Sequence, residues 1–209
     1  MAVTVEPSPA PLPDRLYRLT VGQYRVMVNV GVLHEDDPVE LVDGLLIDKG
    51  RRSPRHTLVT HVLLRDFARR PLAGFHPAKG DPVEIPPDSV PEPDFAIVRG
   101  DPHDYATHHP GPADVPLVVE VADSSLAFDR GTKLRLYARA GLATYWIVNL
   151  VEGVVEVHTN PTGPAEPEPT YRRREVVGRD GTLTLDLGGA GPVRLAASDI
   201  LPRIPTGQD

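Results

Sequence analysis

The chain has 209 residues, 40% hydrophobic and 24% charged, values that fit one globular domain of ordinary size. Its 22 Lys and Arg against 29 Asp and Glu leave a formal net charge of −7, which argues against nonspecific clinging to nucleic acid but leaves room for a local basic patch. With no cysteine, disulfides and thiolate chemistry are excluded. No apolar run approaches a membrane span, and the first residues lack the basic-then-apolar order of a signal peptide. A soluble, cytoplasmic protein is therefore expected.

The proline-rich residues 1–14 read as a disordered lead-in, 15–202 as a single domain and 203–209 as a tail. Thr20 and Gln23 have capping-box spacing, so a short helix is predicted from there to about Val30, with Gly31 as its stop. VELVDGLLID follows, two apolar runs around Asp43-Gly44, a strong two-residue hairpin signal. Glu40 lies on the first strand of that hairpin, in phase with Pro38 and Val42. A second helix is predicted over 56–70, with Val59, Val62, Leu63 and Phe67 as its apolar stripe. Arg51, Arg52 and Arg55 precede it, and Arg65, Arg69 and Arg70 decorate it. This densest basic region reads first as a solvated helix with its loop, and second as a phosphate-binding face. Strands are predicted near 82–85 and 94–98, separated by the proline-rich PPDSVPEP. In the loop 100–116, His103, His108 and His109 tempt a metal reading. Their spacing fits no zinc motif, and a solvent-facing loop is expected instead.

Residues 116–149 are the centre of the chain. Leu117, Val119 and Val121 alternate with Val118, Glu120 and Ala122, a strand so apolar that both faces should be covered. Glu120 is then expensive, because a buried carboxylate needs a partner, a metal or a proton. Asp129, Lys133 and Tyr137 recur on one face of a predicted helix over 129–140, capped at Gly141, and a strand follows over 145–149. A parallel strand–helix–strand crossover could bring Lys133 near Glu120. Beyond it, a hairpin around VVEVHT and short strands near 171–177, 183–187 and 193–195 are expected to extend the sheet.

Pro93-Asp94 opens one strand and Glu120 lies on another. Two carboxylates on adjacent strands can hold a hard cation such as Mg²⁺, and a nearby lysine can stabilise the charge that builds on a phosphate. That constellation suits phosphodiester hydrolysis. Each residue also has a structural alternative: Asp94 as a turn residue, Glu120 bridged to an arginine, Lys133 paired only with Asp129. Tyr137, Tyr145 and Trp146 read as core aromatics.

The ordered set Glu40-Leu41-Val42-Asp43-Gly44, Pro93-Asp94, Glu120-Val121-Ala122-Asp123-Ser124, Asp129/Lys133/Tyr137 and Gly141/Tyr145/Trp146 resembles the Uma-type branch of the PD-(D/E)XK nuclease superfamily, over about residues 15 to 200. The resemblance implies a mixed α/β restriction-endonuclease-like domain: a central mixed sheet flanked by helices, with extra hairpins. It implies Asp94 and Glu120 as metal ligands, Glu40 as an accessory carboxylate at the metal, Mg²⁺ (or Mn²⁺) as cofactor and DNA as substrate. The superfamily lysine usually stands two residues after the glutamate, where this chain has Ala122. In the Uma-type branch it moves to the following helix, which points to Lys133 as the catalytic cation. Asp123 stands where the family often has serine. The leading expectation is a metal-dependent endonuclease that works as a homodimer. The alternative is a nuclease-like fold without useful catalysis, serving as a binding or regulatory module. Lys133→Met is expected to leave folding nearly intact.

Overall fold

A computed structural model describes residues 16–34, 36–188 and 191–203. The expected lead-in and nearly all of the tail lie outside these residues.

Helix α1 (Val21–Asn29) carries the capping box as the sequence predicts: Gln23 N donates to Thr20 Oγ1 and Thr20 N donates to Gln23 Oε1. Strands β1 (Val39–Val42) and β2 (Leu45–Asp48) form an antiparallel hairpin on the Asp43-Gly44 turn. Both turn residues have positive φ, 48° and 75°, as a two-residue turn of this kind demands. Val21, Leu41 and Val90 form a small core of their own and join α1 to this hairpin.

The central sheet has six strands in the order β3-β4-β5-β6-β7-β8. They are β3 (Phe75–Ala78), β4 (Phe95–Arg99), β5 (Leu117–Ala122), β6 (Thr144–Asn149), β7 (Val154–Pro161) and β8 (Tyr171–Val177). Only β5 and β6 run parallel; every other pair is antiparallel. The parallel pair needs a crossover. It is made by α3 (Leu126–Phe128), a π turn (Asp129–Lys133) and α4 (Leu134–Arg139), which run as one helical stretch. Gly141 ends that stretch at φ 76°, with Leu142 N donating to Tyr137 O and Gly141 N to Ala138 O.

Both sheet faces are covered, as the apolar run of β5 requires. Leu117, Val119 and Val121 pack beneath α2 (Pro54–Ala68), through Val59, Leu63 and Phe67. The same layer takes β9 (Thr182–Leu185), β10 (Val193–Ala196) and α5 (Ala197–Ile200). On the opposite face Val118 and Ala122 meet Leu136, Tyr137 and Ala138 of α4. Glu120 shares that second face.

Three expectations need correction. Residues 82–85 are not a strand. Pro82, Pro86 and Pro87 lack the N–H a ladder needs, and the segment's strand-type pairing is an isolated bridge between Ile85 and Ser89. The strand that flanks β4 is β3, whose Pro77 is tolerated because β3 lies at the sheet edge. The crossover helix begins at Leu126 rather than at 129 and contains the π turn. Of the flanking hairpins only β7–β8 extends the sheet; β1–β2 and β9–β10 are separate two-stranded sheets.

Candidate active site

A cleft of about 650 Å³ opens where β1, β2, the start of α2, the end of β5 and the π turn converge. Asp94 immediately precedes β4, and the Phe95–Val119 register of β4 on β5 sets it opposite Glu120. The backbone ladder between these strands has ended there. Val121 N donates instead to Asp94 Oδ2 at 2.8 Å, and Asp94 N reaches Glu120 Oε2 at a long 3.4 Å. Glu120 is 5% exposed. Its Oε1 accepts from Lys133 Nζ at 3.0 Å and from the Tyr137 hydroxyl at 2.6 Å.

Lys133 is buried, and its ammonium also donates to Glu40 Oε2 at 2.7 Å. Glu40 reaches inward because the hairpin alternates: Leu41 joins the α1 core, while Glu40 and Val42 face the main domain. The hairpin is fixed by Val90 N donating to Leu41 O and Gly44 N donating to Asp88 O. Glu40 Oε2 accepts from Glu92 N as well, at 2.8 Å. The buried Asp129 accepts from Ser125 Oγ at 2.6 Å.

The fold therefore gathers Glu40, Asp94, Glu120 and Lys133 around one cleft, although four separate segments supply them. Glu40 lines the same cleft, and its Oε2 accepts from Lys133 and from the Glu92 amide, which suits that oxygen to holding the lysine. Lys133 has no hydrogen bond to Asp94 among the described residues; it touches Glu120 directly. His56, given no role from sequence, lies with Nε2 2.9 Å from Asp94 Oδ2. Its Nδ1 is buried without a partner among the described residues. The available signal was Ser53-Pro54, a helix cap followed by a first-turn proline, which puts His56 in the opening turn of α2. Tyr137 was read as core. Its ring is core, but its hydroxyl belongs to this site. His103, His108 and His109 are exposed on their loop.

The electrostatics follow from this crowding. Burial pushes the Glu120 carboxyl up to about 8; Lys133 opposes the shift, and Asp94, Asp129 and Glu40 add to it. Burial likewise raises Asp129 to about 6 against the pull of its Ser125 hydrogen bond and Lys133. For Lys133, burial alone would lower the pKa, but Glu120 and Glu40 outweigh it and hold the ammonium charged. Negative charge exceeds positive charge in the cleft, and the donors are carboxylate oxygens. Such a set fits a hard divalent cation. Among the described residues no three His, Cys, Asp or Glu side chains already converge as a metal cage. Magnesium at phosphate-processing sites needs only one or two carboxylates, with water and substrate completing its shell. Asp94 and Glu120 meet that requirement.

Comparison with known proteins bears on the fold and the family. A structure described as a "putative nuclease belonging to DUF820" from Anabaena variabilis superposes with a TM-score of 0.60. The superposition covers 87% of this chain and 97% of that one, at 12% identity, which establishes the shared fold. A search of curated proteins returned no match. The family model Uma2, described as "Putative restriction endonuclease", matches residues 21–195, a span that holds all four gathered side chains together with His56 and Tyr137, and the chain belongs to that family.

Proposed function

We propose that the chain is a divalent-metal-dependent endonuclease that hydrolyses DNA phosphodiester bonds at the Asp94–Glu120 cleft. The observation that carries the reading is the buried Lys133 ammonium, 3.0 Å from Glu120, in a chain whose strand position for a lysine holds Ala122. Asp94 and Glu120 would hold Mg²⁺ or Mn²⁺, which when bound supplies charge neutralisation at the phosphate and a more acidic water. Glu40 and Glu120 fix the Lys133 ammonium, so it meets the developing phosphate charge already oriented. The Tyr137 hydroxyl donates to the same Glu120 oxygen as Lys133 does. His56 and the Val121 amide both engage Asp94 Oδ2, which leaves the other oxygen without a protein hydrogen bond among the described residues and available to a metal.

A binding module without catalysis is the second reading. The full commitment of Lys133 to two carboxylates favours it, since an ion-paired lysine has less charge to offer a substrate. Incubation of supercoiled plasmid with the protein separates the two. The nuclease reading expects nicking or linearisation that requires Mg²⁺ or Mn²⁺, stops with EDTA and is lost in Glu120→Ala. Intact plasmid under all metals, or a Glu120→Ala chain that cuts as the parent does, contradicts it.

A further inference from the structure

We infer that Arg51 and Arg52 form a phosphate clamp at the mouth of the cleft and grip the backbone of the nucleic-acid strand presented to it. The inference rests on the nuclease reading and adds residues which that reading does not use.

The cations lining the cleft are Lys49, Arg51, Arg52 and Lys133. Lys133 is committed to Glu40 and Glu120, and Lys49 to Glu92. Arg51 and Arg52 have no carboxylate partner among the described residues, and both are exposed. Two unpaired guanidiniums are notable beside Asp48, Glu92 and Asp123, which line the same cleft. In a chain of net charge −7, surface arginines have many acidic partners to choose from.

Their loop is held at both ends. Lys49 N donates to Pro38 O at 2.8 Å and Gly50 N to Asp48 Oδ1 at 2.7 Å. On the other side Ser53 Oγ donates to Asp123 Oδ2 at 2.6 Å while accepting from His56 N. Only the two side chains need to be ordered when a ligand arrives. The positive edge also continues away from the cleft. A Cβ at Gly80 would stand 3.7 Å from an Arg52 terminal nitrogen, so this guanidinium lies by Gly80, the residue that follows Lys79. Lys79 Nζ lies 3.2 Å from His61 Nε2 on α2.

A carboxylate-rich cleft repels a polyanion. A nuclease with such a cleft needs a cationic edge that draws the backbone in without neutralising the site. Paired planar guanidiniums suit phosphate oxygens better than ammonium groups do. The bland rival is a solvated loop that touches nothing.

The test is equilibrium binding of a fluorescent DNA duplex to the full chain in EDTA, by anisotropy, across a salt series. It compares the parent with Arg51→Ala/Arg52→Ala, Arg51→Lys/Arg52→Lys and, as a control, Arg172→Ala on β8. Each lost phosphate contact removes about 0.9 from the slope of log affinity against log salt, so the double alanine chain should lose about 1.8. It should also bind at least about tenfold more weakly at low salt. The double lysine chain should recover the slope and only part of the affinity. The control should match the parent. The double alanine chain should still bind magnesium. A double alanine chain with parental affinity and slope overturns the clamp, even if plasmid cleavage upholds the nuclease. A parent chain that binds no DNA overturns it too. Binding that depends on both arginines in a chain that never cuts supports the clamp and refutes the nuclease.

Discussion

At the scale of single residues the cleft is organised by which group holds which. One oxygen of Asp94 is held by both Val121 N and His56, and neither contact is visible without the fold. Groups that orient a ligand carboxylate typically matter about 10–100-fold in metal affinity. His56→Ala should therefore weaken magnesium binding by about that factor in a calorimetric titration, while the crossover helix and sheet stay folded. An unchanged affinity would reduce His56 to a packing residue. Lys133 changes the sequence expectation in another way. Its ammonium is the contact shared by two buried acidic side chains, so Lys133→Met, which breaks that contact, is now expected to cost about 3–5 kcal/mol of stability. Part of that cost is relieved because Glu120, already raised to about 8, can take a proton.

At the scale of elements, the crossover stretch decides whether Lys133 meets Glu120. Its π turn is anchored by Arg130, which donates to the fully buried Glu156 of β7. Glu156 also accepts from Arg174 of β8 and from Asn149 of β6. Burial alone would raise the Glu156 pKa, but hydrogen bonds from Arg130, Asn149 and Arg174 outweigh it and hold the carboxyl below its usual value. A depressed carboxylate stabilises the fold above its unfolded pKa and loses that stabilisation as pH falls through the folded value. Glu156→Gln should thus cost about 2 kcal/mol near neutrality, since hydrogen bonds to charged groups contribute about 1.5–3. The melting curves of parent and variant should converge as the pH falls below the ordinary value of 4.5. A gap that persists in acid would assign the loss to packing.

Elements with local signals were legible in the sequence. The Thr20–Gln23 cap, the Asp43-Gly44 turn and the alternation of β5 depend on neighbours in the chain, and each is found where the residues predict it. Strand β3 escaped because FHPA is four residues long with a proline, and only pairing with β4 makes it a strand. The π turn escaped because helical spacing carries no mark of one inserted residue. The dual use of Tyr137 escaped because its ring and its hydroxyl answer to different neighbours.

At the scale of the whole molecule, the chain builds a two-faced sheet and gathers three carboxylates and one lysine around one cleft. On the proposed reading a divalent cation offsets the excess negative charge of the cleft, and Lys133 on the crossover helix takes the place of a strand lysine. None of the described helices is long and apolar enough to cross a membrane. The most direct test of this account is single-turnover cleavage of duplex DNA by Lys133→Met, at saturating magnesium and below its melting temperature. One preorganised charge typically contributes about 10²–10³ in rate, so the variant should cut at least about a hundredfold more slowly than the parent while still binding the metal. Cleavage at the parental rate would contradict the central role given to Lys133.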